Sequence, residues 1–278
     1  MQVQTEVSDD RLKATDLFGF EAILVSTQET TYRPLRVADL KADLHTHTTW
    51  SDGELSIEQL ARQSRRLGRR VIAITDHSCL MGVRDGTFRQ RLKKQREEIH
   101  AVQERLGDSI YLLHGAEVDI LEDGRLEYPD DILAELDIVV ASLHTELHQS
   151  PEMMTERLVR AMHNPYVDII AHPSGRILPM FEGAELDWEQ VFKTARRTGV
   201  ALEIDANPDH LDLDEEHARL AAEYGVLFSV DSDTHRAHHL RCLRLGVRIA
   251  RHAGLRPDEV INTWSLERLL RWLRSRGA

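Results

Sequence analysis

The stretch DLHTHTTWSDG, residues 43–53, places His45 and His47 two apart, with Asp52 five residues after the second. Alone, a His-x-His pair is weak evidence, because one strand-end histidine is more often a satisfied structural group than a ligand. The chain repeats the theme in five further places. ITDHS carries His77, GAEVDI carries Glu117, ASLHT carries His144, AHPSGR carries His172, and VDSDTH carries Asp233 and His235. Imidazole and carboxylate ligands suit Zn, Mn and Fe. So many of them in one pocket would be poorly satisfied without cations, and more than four or five ligands implies more than one ion. Glu117, near the centre of the set, is a candidate bridge. Adjacent divalent ions suit phosphoester hydrolysis, because they acidify water, clamp phosphoryl oxygens and stabilise the leaving oxygen. Arg176, in HPSGR, is a candidate phosphate clamp, since a guanidinium matches phosphate oxygens in a bidentate way. Glu117, Asp233 and Arg176 are thus the candidate catalytic residues.

These motifs need elements to bring them together. The chain reads as strands at 42–47, 71–75, 110–120, 137–144, 167–172, 200–206 and 226–233. Helical patterns lie between them, at about 57–67, 87–106, 129–136, 151–163, 187–198 and 214–224, with two more at about 236–252 and 265–275. Ser56 and Gln59 have capping-box spacing, and Gly68 stops that helix. Seven strand–helix alternations predict a parallel α/β architecture with right-handed crossovers, open or closed. Every singled-out group falls at or near the C-terminal end of its strand, and such folds build sites on that face. Residues 1–39 do not fit the alternation and are expected to form an extension packed on a domain at 40–278, with FEAILVS (20–26) a candidate strand. LERLLRWLRSR reads as an amphipathic helix laying its Leu and Trp face on the barrel.

Each group also has a plainer reading. Asp52 precedes glycine, a common turn pair. Asp43 and Asp76 either orient ligand imidazoles or cap strand ends. Asp205 and Asn207 either line the pocket or form the turn before Pro208. Arg176 has a solvent-facing or structural alternative. His148 and His210 fall near the site in sequence but belong to no motif.

Composition narrows the function classes. The 278 residues carry a formal charge of −12, which argues against a broad sequence-independent grip on nucleic acid. No apolar run is long enough to span a membrane, and the N-terminus lacks a signal-peptide layout. Two cysteines, Cys79 and Cys242, without a Cys-x-x-Cys, predict a disulfide-free cytoplasmic protein. Cys79 is expected to be a buried structural thiol.

Together DLHTHTTWSDG, ITDHS, GAEVDI, ASLHT, AHPSGR, EIDANPDHLDL and VDSDTH resemble the PHP (polymerase and histidinol phosphatase) family, above all the PHP domain that follows the core of bacterial family X DNA polymerases. The resemblance covers roughly residues 40–275. It implies a distorted seven-stranded (β/α)7 barrel with three metal ions per chain, Mn, Zn or Fe. It places one ion on His45, His47, Glu117 and Asp233. A second falls on Glu117, His144 and His172, and a third on Asp52, His77 and His235. It also implies a phosphate-ester substrate, either a small phosphomonoester or a DNA 3′ end attacked by a 3′–5′ exonuclease, with a separate DNA-repair protein as candidate partner. The remaining alternative is a non-catalytic metal-binding module serving structure or partner contact. About forty residues before the domain are too few for a polymerase core, so template-directed synthesis is not expected. Glu146 stands where many relatives carry a basic residue.

Overall fold

The computed structural model describes residues 33–78 and 88–276. FEAILVS (20–26) and Cys79 lie outside the described residues. Seven parallel strands pair in chain order: β1 (Ala42–Asp43), β2 (Val71–Ile74), β3 (Tyr111–Asp119), β4 (Ile138–Ser142), β5 (Ile169–Ile170), β6 (Ala201–Asp205) and β7 (Leu227–Asp231). Between them run α1 (Ile57–Arg66), α2 (Phe88–Leu106), α3 (Asp130–Leu133), α4 (Pro151–Met162), α5 (Trp188–Thr198) and α6 (Glu215–Glu223). The helices α7 (Leu243–His252) and α8 (Leu266–Arg274) follow β7. The capping box forms as expected: Gln59 N–H donates to Ser56 Oγ, and Ser56 N–H donates to Gln59 Oε1.

The fold is a nearly closed, distorted barrel, and β3 shows where the distortion enters. Its first half, Tyr111–His114, pairs with β2, and its second half, Gly115–Asp119, pairs with β4. At the changeover a Cβ on Gly115 would sit 2.6 Å from the Ile138 side chain and carbonyl oxygen, so only glycine lets the two strands approach. Between β7 and β1 carboxylates replace most of the ladder. Asp43 accepts from Ser232 N–H (3.0 Å) and Oγ–H (2.7 Å), Asp231 accepts from Leu44 N–H, and His47 N–H reaches Thr234 O at 2.9 Å.

Asp43 therefore ties the barrel seam, and it holds no ligand imidazole. The reading of Asp76 resolves the same way. It accepts from Thr48 N–H, Thr48 Oγ1–H, Ser51 Oγ–H and Gln95 Nε2–H, which pins the loop after β1. Two other expectations need correction. The ladders of β1 and β5 are only two residues long, because the seam and the loops take over the remaining backbone pairing. The expected helix at 236–252 begins at Leu243, since His239–Arg241 form a 3-10 turn beside the pocket.

The starts of the strands point their inward residues at one apolar cluster. Ala42, Val71, Leu113, Ile138, Ile169 and Ala201 meet Ile261, Trp264, Leu269 and Leu273 there. The C-terminal helix thus closes that end of the barrel with the Leu and Trp face its sequence pattern predicts. Among the described residues no helix is long and apolar enough to cross a membrane.

Candidate metal centre

At the other end, the strand tips and the loops after them converge. Glu117, in the second half of β3, is buried at the centre. Its Oε1 lies 3.0 Å from His172 Nε2 and 3.2 Å from His144 Nε2. Its Oε2 lies 2.8 Å from His77 Nδ1, 3.4 Å from His47 Nε2 and 3.5 Å from His45 Nε2. Asp233, just past β7, places Oδ1 at 3.2 Å from His47 Nε2 and 3.3 Å from His235 Nδ1. Asp52 places Oδ1 at 3.3 Å from His235 Nε2 and 3.5 Å from His77 Nε2. All nine expected ligands therefore gather in one place.

The backbone works to hold them there. His172 and Asp233 sit at φ +26° and +43°, a region that non-glycine residues rarely occupy and that clusters at functional sites. A Cβ on Gly53 would lie 2.5 Å from the His47 carbonyl, so glycine lets the Asp52 loop fold against that histidine.

Within this cluster, atoms close enough to share an ion fall into overlapping groups. His47, Asp52, His77 and His235 form one, and His45, His47 and Asp233 another. Glu117 joins two more, one with His45 and His172 and one with His77 and His144. Burial opposes charge throughout, but opposite charges prevail at most positions. At His77 the carboxylates of Glu117 and Asp52 outweigh burial and push the pKa up to about 11. At His144 those of Glu117 and Asp119 push it to about 10. His45, between Glu203 and Glu117, rises well above its ordinary value. Burial also disfavours ionised Glu117, but the imidazoles of His144, His77 and His45 hold its pKa well below the usual carboxylate range. Only His47 and His172 are driven down to about 4, mainly by burial. The pocket thus calls for positive charge, which protons or metal cations can supply. Among the described residues, two buried atoms in it, Glu117 Oε2 and His172 Nδ1, have no partner aligned for a hydrogen bond, although His77 Nδ1 lies 2.8 Å from the first. The nitrogen- and oxygen-donor set and these orphaned atoms fit divalent ions.

Sequence reasoning missed the residues that orient the histidines. Glu203, fully buried in β6, accepts from His45 Nδ1 at 2.9 Å and from His172 backbone N–H at 2.8 Å. One carboxylate therefore positions two of the nine. Asp119, two residues beyond Glu117, holds His144 Nδ1 at 2.7 Å. A carboxylate inside the apolar run VALEIDA was the available signal for Glu203. The structure gives Arg176 a different place from the expected clamp. Its Nε donates to His210 O at 2.9 Å, another nitrogen donates to Leu211 O, and the third faces Asp214 at 3.8 Å. It braces the 207–214 loop. Arg236 is the guanidinium that lines the cavity beside Asp52, Asp233 and His235, a space of about 530 Å³. It is exposed, and its side chain has no hydrogen-bond or ion-pair partner among the described residues.

The PHP domain family matches residues 43–207. The chain is 41% identical over 243 residues to the DNA polymerase/3′-5′ exonuclease PolX of Bacillus subtilis, a match spanning 87% of this chain but 42% of that protein. It is 35% identical over 237 residues to a probable phosphatase of Thermoanaerobacter sp. (strain X514), spanning 81% of this chain and 91% of that protein. Among solved structures, a histidinol phosphate phosphatase from Lactococcus lactis, complexed with zinc, L-histidinol and phosphate, superposes with a TM-score of 0.55. That match covers 78% of this chain and 95% of the other at 17% identity, a likeness of fold.

Proposed function

The chain belongs to the PHP domain family, and on that premise we propose that it hydrolyses phosphate esters at a centre of three divalent metal ions. His45, His47, Glu117 and Asp233 would hold one ion, Glu117, His144 and His172 a second, and Asp52, His77 and His235 a third. The observation that carries this reading is Glu117, whose two oxygens face different sets of imidazoles. Divalent ions there would acidify water and draw charge from the phosphoryl and leaving oxygens. Mn, Zn and Fe all suit the donors.

The chain's own residues do the rest. Glu203 keeps the proton of His45 on Nδ1 and leaves Nε2 free to ligate, and Asp119 does the same for His144. Arg236, at the cavity wall, would neutralise an incoming phosphate. The other walls carry four carboxylates, Asp52, Glu54, Asp209 and Asp233, beside the imidazoles of His210, His235 and His239. Such a cavity suits a compact phosphomonoester better than a tracked polyanion, which needs a row of cations. A cysteine-poor chain suits a reducing, cytoplasmic setting.

The second reading, 3′–5′ removal of nucleotides from a DNA end, has the similarity to PolX in its favour, and a DNA-repair partner would go with it. Digestion of a 5′-labelled single-stranded oligonucleotide with Mn²⁺, run beside phosphate release from a panel of phosphomonoesters, separates the two. Phosphate release without a ladder supports the phosphatase, and a ladder absent in Glu117→Ala supports the exonuclease. Neither product, in protein that has taken up metal, would leave the non-catalytic module.

A further inference from the structure

The nine expected ligands do not exhaust the donors at this face. Asp205, the last residue of β6, is fully buried; its Oδ1 accepts from Asn207 N–H at 2.7 Å, and its Oδ2 has no hydrogen-bond partner among the described residues. The chain then turns, with His210 N–H and Leu211 N–H both donating to Asn207 O, and brings His210 back over the pocket. The ring of His210 stacks on His172 at 4.9 Å and 18°. Its Nδ1 is 2.6 Å from Arg176 O, a pure acceptor, so Nδ1 carries the proton. The lone pair of Nε2 then lies 3.8 Å from Asp233 Oδ2. In the neutral ring neither atom can donate to the other. A ligating atom of Asp205 completes the group, with all three within 4.8 Å of one another.

We propose that Asp205, His210 and Asp233 form a further divalent-cation site, which shares Asp233 with the proposed three-ion centre. The inference rests on that reading for the shared carboxylate alone. Two ligands each about 2.1 Å from one ion lie about 3–4 Å apart, which the His210–Asp233 separation already meets. Two carboxylates and one neutral imidazole match the charge and donor preferences of Mn²⁺, Zn²⁺ or Fe²⁺. Asp233 divides its oxygens accordingly: Oδ1 faces His47 and His235, and Oδ2 accepts from Asn207 Nδ2–H at 3.1 Å and faces His210 with its other lone pair. The imidazole is prepared as a ligand, because the Arg176 carbonyl selects its tautomer and the Arg176 guanidinium holds its backbone carbonyl. Both His210 and Asp233 border the cavity, so an ion here would be within reach of a substrate in it. The rival occupant is a proton, on Asp205 or on His210 Nε2 facing Asp233.

Full-length protein, stripped with chelator and titrated with Mn²⁺ while free Mn²⁺ is followed by electron paramagnetic resonance, decides between them. Wild type should bind about four equivalents, and Asp205→Asn and His210→Gln about three each. Asp205→Asn keeps the Oδ1 acceptor for Asn207 N–H, so it remains informative if His210→Gln does not fold. Equal stoichiometry near three in wild type and Asp205→Asn would overturn the site and leave the trinuclear reading intact. Loss of all metal from Asp205→Asn would overturn it too, by placing Asp205 in the shared centre. A wild type that binds no metal would overturn both.

Discussion

Ile138 opens β4 in an apolar cluster with Leu113, Ile169 and Leu273, and six residues later His144 faces Glu117 across a pocket of charges. The same contrast runs round the whole barrel. One end holds Ala42, Val71, Leu113, Ile169 and Ala201 under the C-terminal helix, and the other holds six imidazoles among carboxylates. Parallel strands make this possible, because every strand begins at one end and finishes at the other. Stability and chemistry can then be placed on opposite faces of one core. The apolar end is closed by packing. The polar end is crowded with groups that repel or orphan one another without added positive charge.

If the two ends are independent, changes at one should leave the other's property alone. Glu117→Ala tests this most severely. It should lower hydrolysis by more than the roughly 10- to 100-fold typical of losing an outer partner, while the thermal unfolding midpoint of the metal-free protein stays level or rises. A large drop in that midpoint would show that the centre also holds the barrel together. Leu269→Ala is the mirror experiment. Leu269 is 1% exposed beneath the barrel, so truncation should cost about 2–5 kcal/mol in denaturant unfolding. Metal content per folded chain should not change, and ion loss at low denaturant would break the comparison.

Glu203→Gln acts between the extremes. It removes charge from the side chain that seats both His45 and His172. Metal affinity or activity should fall roughly 10- to 100-fold with the fold retained, and an unchanged affinity would strip Glu203 of its positioning role. Asp168→Asn gives the smallest effect and sharpens the account of the apolar end. Asp168 accepts from Val139 N–H at 2.9 Å, and burial pushes its pKa up to about 7. A carboxyl whose folded pKa exceeds its unfolded one contributes stability that is present below about 4 and is lost as the pH rises through about 7. Wild type should therefore lose stability relative to Asp168→Asn across that interval. Parallel pH profiles for the two proteins would mean that Asp168 is not the group responsible.

Much of the polar end is legible in the chain because each ligand sits where a strand must stop. His77, Glu117, His144, His172 and Asp233 each follow an apolar run, and a run of that length in an alternating α/β pattern fixes both the element and the face. The Ser56–Gln59 box and the Leu–Trp face of α8 are legible for the same reason: their partners lie within a turn or two, or on one helical stripe. Asp43 and Asp76 show the limit. Their types fitted either role, and only their partners, Ser232 at 189 residues' separation and Thr48, Ser51 and Gln95 nearer by, decide it. Arg176 shows it too, since nothing in HPSGR reveals that two carbonyls 34 and 35 residues away take its donors.

The sequence by itself determined the parallel α/β class of fold and the identity of the nine clustered donors, because these follow from local periodicity and from side-chain chemistry. Only the tertiary structure decided which atom of Glu117 faces which imidazole, that Glu203 seats His45 across 158 residues, and that Asp205 and His210 meet at Asp233. Those contacts depend on how strands close into a barrel and how a loop turns back over it. Distances of a few ångströms between residues far apart in the chain leave no periodic trace in the order of its residues.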